Sequence, residues 1–514
     1  MHSYHIFYFP FKWEVKDEEF SDFSQAIDLN HIHPSESSPW ITNYHPQGSE
    51  AELLYDEKNY YYKFVHPVLY DTGESDTLIK HYERKELQAN DNLCTYNIQV
   101  KKDKQIFTYH LKLDALNLNF YSTGVGMLSF YMQNNDYEDF NDILNINQYG
   151  RRVFPPFYND IRYRYQIALQ IEIEGLSGAW ERYREDFSNY TPQMDWHPAR
   201  FISNLTEDLQ ENLNIIPIID DRMFVNCWYQ NKEMASQFYY NEESLEQEQK
   251  KRGNETFSAE KDELQHKRAQ QFIASSDWYK YSFIDAGDNP TCRNLKMRKE
   301  IAESTTYLRW QENGSIYGAT RYSLVLLTKK DPFCEYVLSV HMKTIYSRMI
   351  ELVLIQRASM LKFSEEVTKV SNLRGKDEVM IARRIGSLYK EYIRFMNQIY
   401  FKEVTTQDQG IELYNLLLKQ FESDKQVKDL DEEIGELHNY ITLIIDNSRN
   451  IKASRLNIIV AIFATPTLLA ALFGMSALKE GEVFLLSEYK WQIIIIAITT
   501  LLTILILKRK LWIR

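Results

Sequence analysis

Two short runs carry the side chains best suited to hold a small charged molecule. In NINQYGRRVFPPF, Arg151 and Arg152 follow a glycine at the expected end of a helix and precede Pro155-Pro156. Adjacent guanidiniums on so restricted a segment suit fork-like recognition of a phosphate, and they equally suit an ordinary solvated pair. In NIIPIIDDR, Asp220 and Asp221 directly follow an apolar run. Carboxylates at the C-terminal end of a buried strand stand where α/β folds place ligands. They can accept hydrogen bonds from ribose hydroxyls or an amino group, or cap a turn. Gly124 and Gly126 in STGVG are followed by no GK[ST], which favours a turn or bulge over a phosphate loop. His31-Ile32-His33 has ligand-like spacing but no cysteine or carboxylate pattern around it, and Cys94, Cys227, Cys292 and Cys334 form no CxxC pair. No nucleophile with a neighbouring base stands out, so no catalytic residue and no resident cofactor is assigned.

These residues need a folded domain to position them. Runs with strand character cover Tyr60–Val65, Ile106–Leu113, Leu116–Tyr121, Met127–Met132, Ile167–Glu174, Asn214–Ile219, Met223–Tyr229 and Tyr322–Leu327. Helical stretches such as Tyr137–Asn145 and Ala199–Asn212 lie between them, so 1–330 is expected to be an α/β or α+β ligand-sensing domain. Within it, 241–270 nearly lacks large apolar side chains and reads as a solvated loop or exposed helix. A net charge of −13 argues against a broad nucleic-acid surface. The N-terminal run lacks a basic n-region and a long apolar stretch, so no cleaved signal is expected, and the scattered cysteines fit a reducing cytosol.

Residues 331–455 read as a helical stalk. Phe333, Val337, Val340, Ile345, Met349, Leu352, Ile355 and Phe363 mark an amphipathic helix that begins past Pro332 and ends by Gly375. A second helix is expected from about Asp377 to Val404. The run Thr405-Thr406-Gln407-Asp408 then resembles an N-cap. With no proline from Gln407 to Pro466, one helix is expected to continue to Met475. Leu430, Ile434, Leu437, Ile441 and Ile444 keep four-three spacing, which serves either a coiled-coil seam or packing on the other two helices.

The C-terminal end reads as a membrane hairpin. Residues 456–478 and 491–507 contain no charge, close to the ~20 residues a spanning helix needs. Arg449, Lys452 and Arg455 precede the first segment, and a basic tail, 508–514, follows the second. The positive-inside bias therefore puts both ends in the cytoplasm and the short loop 479–490 outside, as a multi-pass protein of the inner membrane. Asn450, Ser454, Asn457, Ala461, Ala464, Leu468, Ala471 and Met475 share one small, partly polar helical face. That face either packs helices closely or lines a pore, and a pore requires several copies of a two-helix chain.

Phe473-Gly474-Met475-Ser476, the short loop, the second helix and the basic tail resemble the CorA family of divalent-cation transporters, as do Pro466 and Thr467. The resemblance covers about 333–514 and implies a funnel-shaped homopentamer, with magnesium as permeant or regulatory ion. The family's signature ends Gly-Met-Asn, and here the third position is Ser476, which leaves the permeant ion open. STGVGMLSF, INQYGRRVFPPF, YGATRYSLVLLT and TTQDQGIELY are further similar to the large CorA-like proteins encoded beside type III CRISPR loci. That group's implied activity is antiviral: a channel gated by the second messenger S-adenosylmethionine-AMP. Such a ligand, with a phosphate and a cationic methionine end, would suit Arg151/Arg152 and Asp220/Asp221 together. A housekeeping magnesium or cobalt transporter gated by its ion is the alternative.

Overall fold

The computed structural model describes residues 1–15, 29, 32, 38–42, 56–72, 77–88, 93–102, 105–153, 168–177, 180–187, 198–209, 213–218, 222–252, 254–372, 378–477 and 490–512. They fold as mixed α/β, with a sheet of thirteen described strands and a long helix. Two compact units result. The first comprises Met1–Asn372 and Ser387–Ile434, the second Leu373–Gly386 and Gly435–Arg514.

The central strand is β1 (Ser3–Val15), SYHIFYFPFKWEV, which the sequence reading does not assign. Both its faces are covered, so the polar/apolar alternation of a half-exposed strand is missing, and Pro10 interrupts the pattern. The period of two persists in the contacts. Phe7, Phe9, Phe11 and Trp13 enter the main hydrophobic core. On the opposite face Tyr8 and Lys12 meet the helix Ile345–Ser371, and Tyr4 lies under the Lys343 ammonium just before it.

Around β1, the sheet extends through β2 (Gln105–Tyr121) and β3 (Val125–Asn134) on one side, and β4 (Phe224–Gln230) and β5 (Ser323–Thr328) on the other. β4 and β5 are parallel neighbours, and the other labelled pairs are antiparallel. The two expected runs Ile106–Leu113 and Leu116–Tyr121 are one strand, β2, with a bulge between Leu113 and Ala115. The strand expected at Tyr60–Val65 is instead a bridge at Tyr61 and a short 3-10 turn, Lys63–Val65, because Tyr61 and Val65 are buried by packing rather than by sheet pairing.

The STGVG run is a tight turn. Gly124 takes φ 76°, in the left-handed region, and closes the β2–β3 hairpin by donating its N–H to Tyr121 O at 3.0 Å. Gly126 has no room for a side chain: an added Cβ would lie 2.3 Å from the Phe11 ring and 2.8 Å from the Asn119 carbonyl oxygen. Gly126→Ala is therefore expected to cost about 1–3 kcal/mol through overpacking. The check is a several-degree fall in melting temperature.

Helix α1 (Phe140–Gly150) covers one sheet face, capped by Asp139, whose side chain accepts the Asn141 N–H. The 241–270 segment is the exposed-helix alternative, Glu242–Arg252 followed by α2 (Asn254–Ile273). A shorter helix, α3 (Ser276–Phe283), comes next.

The helix expected to open the stalk, α4 (Ile345–Ser371), lies in the same compact unit as the sheet and is buried along its length. Its seat is unusually polar. Ser347 meets Tyr8 and Tyr131 hydroxyls at 2.8 Å. Ser359 donates to Thr123 Oγ1 at 2.9 Å, Lys362 to Thr123 O at 2.7 Å, and Lys12 reaches Glu365 at 2.7 Å. The hairpin turn thus grips α4 through a hydroxyl and a carbonyl. The helix expected to start past Pro332 is broken at Thr344 (φ −106°, ψ −86°), before which Cys334–Leu338 forms a π turn.

Helix α5 (Glu378–Gln398) follows, then α6 (Asp408–Gln420). The single helix expected from Gln407 to Met475 is interrupted: Glu422 has φ 53°. Buried Phe421 packs against Phe224 and under the Arg357 guanidinium, and this docking turns the chain. Helix α7 (Ser423–Ala477) then runs for 55 residues, ~80 Å, through Pro466. Leu430, Ile434 and Ile441 are buried within the single chain, which favours the same-chain packing alternative. Helix α8 (Lys490–Trp512) ends the described chain.

Candidate functional site

Gly150 ends α1 where a Cβ would stand 2.6 Å from Ile98 and 2.8 Å from Phe7. Its carbonyl accepts the Tyr96 hydroxyl at 2.7 Å. The next three residues are tied to other elements: Met223 N–H donates to Arg151 O, Arg152 forms an antiparallel bridge with Arg222, and Ala199 N–H donates to Val153 O. The arginine pair is therefore held on a fixed segment, as the sequence suggests.

The two arginines differ in role. Arg151 is 1% exposed, and its Nη2 donates to Gln148 Oε1 at 3.2 Å and to Ile284 O at 3.4 Å. It ties the last turn of α1 to the end of α3, where Ile284 adopts φ 54°. Arg152 is half-buried beside Tyr149, whose hydroxyl is pushed up by burial, with Arg152 lowering it and Asp288 raising it. Directly opposed antiparallel residues carry Cβ atoms ~4.5–5.5 Å apart on one face. Arg152 thus shares its face with Arg222, whose guanidinium lies 5.3 Å from the Tyr322 ring centre. Arg222 and Tyr322 are the members that sequence reasoning leaves out, although Arg222 completes the DDR triplet. Asp220 and Asp221 immediately precede Arg222 in sequence and lie outside the described residues, as do His31 and His33.

A second constellation is visible only in three dimensions. Cys227 Sγ lies 3.5 Å from His5 Nδ1, which in turn lies 2.7 Å from Asn147 Oδ1. Ser3 Oγ is 2.7 Å from Nε2 and accepts from Asn134 Nδ2 at 2.8 Å. The network closes if Ser3 donates to Nε2 and Nδ1–H donates to Asn147, so the nitrogen nearest sulfur already carries its proton. Burial pushes the Cys227 thiol up to about 11 and lowers His5 to about 4, the Asn147 hydrogen bond opposing the latter. Both are neutral at pH 7, which is the opposite of a thiolate–imidazolium nucleophile.

This network has a pH consequence. Between ~6.5 and about 4 the unfolded chain binds a proton at His5 that the native chain does not. Its contribution is complete above ~6.5 and is lost as pH falls towards 4, by about 3 kcal/mol. Melting temperatures between pH 7 and 4.5 should fall less steeply in His5→Gln than in the wild type.

On α7, Asn450, Ser454, Asn457, Ala464, Leu468 and Ala471 are exposed; the side chains of Ala461, Gly474, Met475 and Ser476 lie outside the described set, although their backbone is helical. Tyr440 (57% exposed) and Leu443 (69%) extend the same four-three series towards the N-terminus. By length and composition one described helix, Ser423–Leu469, qualifies to cross a membrane, and Ile493–Leu502 is a shorter apolar run.

No family model matches the chain, and a search of curated proteins finds no significant relative.

Proposed function

We propose that the chain is a CorA-like homopentameric channel of the inner membrane, opened when its cytosolic α/β domain binds S-adenosylmethionine-AMP during antiviral defence. The observation that carries the membrane assignment is the apolar surface of the C-terminal helices. Leu456, Ile459, Val460, Phe463 and Leu468 on α7, and Trp491, Ile493, Ile498, Leu501 and Leu505 on α8, are all more than 45% exposed. Such a surface is too extensive for water and suits lipid and neighbouring copies.

Oligomerisation is supported by the 3.5-residue series from Tyr440 to Met475. A stripe of that period stays on one face only when helices supercoil about a common axis, which here would be the pore of a funnel-shaped assembly. Both termini are cytoplasmic and the 479–490 loop is external. Arg152, Arg222 and the acidic pair Asp220/Asp221 receive the messenger's phosphate and its cationic end, while Arg151 braces the segment. Shifting a channel from 1:99 to 99:1 requires the ligand to favour the open state by ~5.5 kcal/mol, about 1 kcal/mol at each of five sites.

The test is equilibrium binding of S-adenosylmethionine-AMP to detergent-purified full-length protein, beside a magnesium titration. Saturable messenger binding is expected. Stabilisation by magnesium alone would replace this account with ion-gated cation transport.

A further inference from the structure

Helix α2 buries Gln265, Ala269, Phe272 and Ile273, and a partly exposed stripe with a cationic middle runs beside that core face. Leu264, Lys267, Arg268, Gln271 and Phe272 recur at the spacing by which a surface helix turns apolar side chains to its core. Phe272 reaches the core at 3% exposure, while Lys267, exposed, and Arg268, half-buried, hold the middle of the stripe. They line a groove of roughly 540 Å³, closed on the far side by Tyr240.

The groove is built rather than incidental. The Arg268 guanidinium stacks over the Tyr240 ring at 4.1 Å. Tyr240 is itself pinned, since its backbone N–H donates to Oε1 of Gln265, a residue only 3% exposed. Elsewhere nearby, lysines find acids: Lys250 pairs with Glu246 and Lys251 with Glu248. Among the described residues, no carboxylate lies within 4.0 Å of Lys267 or Arg268, in a chain with 72 acidic and 59 basic residues. A stacked guanidinium keeps its N–H edge free for an oxyanion, and the second cation stands one residue away.

We propose that this groove binds a phosphorylated small molecule bearing a flat ring. The phosphate sits between Lys267 and Arg268, the ring rests on the apolar wall at Leu264 and Phe272, and Gln271 offers an amide to its edge. The volume is in the range of small-molecule sites. The site is separate from the messenger site. α3 begins just beyond the groove and ends at Ile284, the carbonyl that Arg151 holds, so the two lie at opposite ends of an eight-residue helix.

The experiment measures AMP and adenosine binding to the detergent-purified full-length chain. Three proteins are compared: wild type, Lys267→Gln/Arg268→Gln, and Arg152→Ala/Arg222→Ala. AMP should bind at least ~10-fold more tightly than adenosine, and lose at least ~10-fold in the groove variant, because each charged hydrogen bond is worth that much. The Arg152→Ala/Arg222→Ala protein should retain this AMP site. Equal affinity for AMP and adenosine, absence of AMP binding, or AMP binding lost only in Arg152→Ala/Arg222→Ala would overturn the groove assignment; the last would leave the messenger site standing. Melting temperatures verify folding, and Lys267→Gln alone, at an exposed position, repeats the test if the double variant does not fold.

Discussion

Replacing Arg348 by Met is expected to destabilise the folded chain by about 3–5 kcal/mol, because it strands two buried carboxylates. Arg348 lies on α4, with Nε 3.3 Å from Glu57 and Nη1 3.5 Å from Glu351. Glu57 is 6% exposed and Glu351 2%. Glu351 also accepts from the Tyr121 hydroxyl at 2.9 Å and from Asn119, so it cannot swing out to water without giving up both partners. Burial opposes the charge on Arg348, and the two carboxylates more than compensate, holding the guanidinium well above its ordinary range. The apparent melting temperature should drop steeply at pH 7. An Arg348→Met protein that melts like the wild type would remove this cluster as the anchor of α4.

The Arg152→Ala/Arg222→Ala variant is expected to lose at least ~100-fold in affinity for S-adenosylmethionine-AMP, since each guanidinium–phosphate hydrogen bond contributes about 1.5–3 kcal/mol. Arg151→Ala should act differently. Its guanidinium holds Gln148 and the Ile284 carbonyl inside the protein, so its removal should lower the melting temperature before it alters affinity at the permissive temperature. Titration and thermal melts of the same preparations separate the two. Equal loss of affinity with no loss of stability in Arg151→Ala would reverse the roles given to these neighbours.

Much of the architecture was legible where side-chain pattern and local structure agree. The largely apolar runs at Met127–Met132 and Met223–Tyr229 and the glycine of STGVG all correspond to what forms there: β3, β4 and a hairpin turn. β1 was hidden because Pro10 and the buried polar residues Ser3, His5 and Lys12 interrupt its apolar run. The interruption at Glu422 was hidden because it follows from where Phe421 docks, not from a glycine or proline. At the candidate site, the GRR run announced two equivalent cations. Burial made them unequal, and the β-bridge brought in Arg222, a partner 70 residues away. The Cys227–His5–Asn147 network likewise joins positions that no spacing rule connects.

The most direct test of the central claim is ion flux from proteoliposomes containing the purified chain, recorded before and after addition of S-adenosylmethionine-AMP, with magnesium and monovalent cations as separate cargoes. The account predicts a closed resting state and a flux that appears with the messenger and fails to appear in Arg152→Ala/Arg222→Ala. Magnesium flux that proceeds without messenger, and is unchanged by it, would contradict the account.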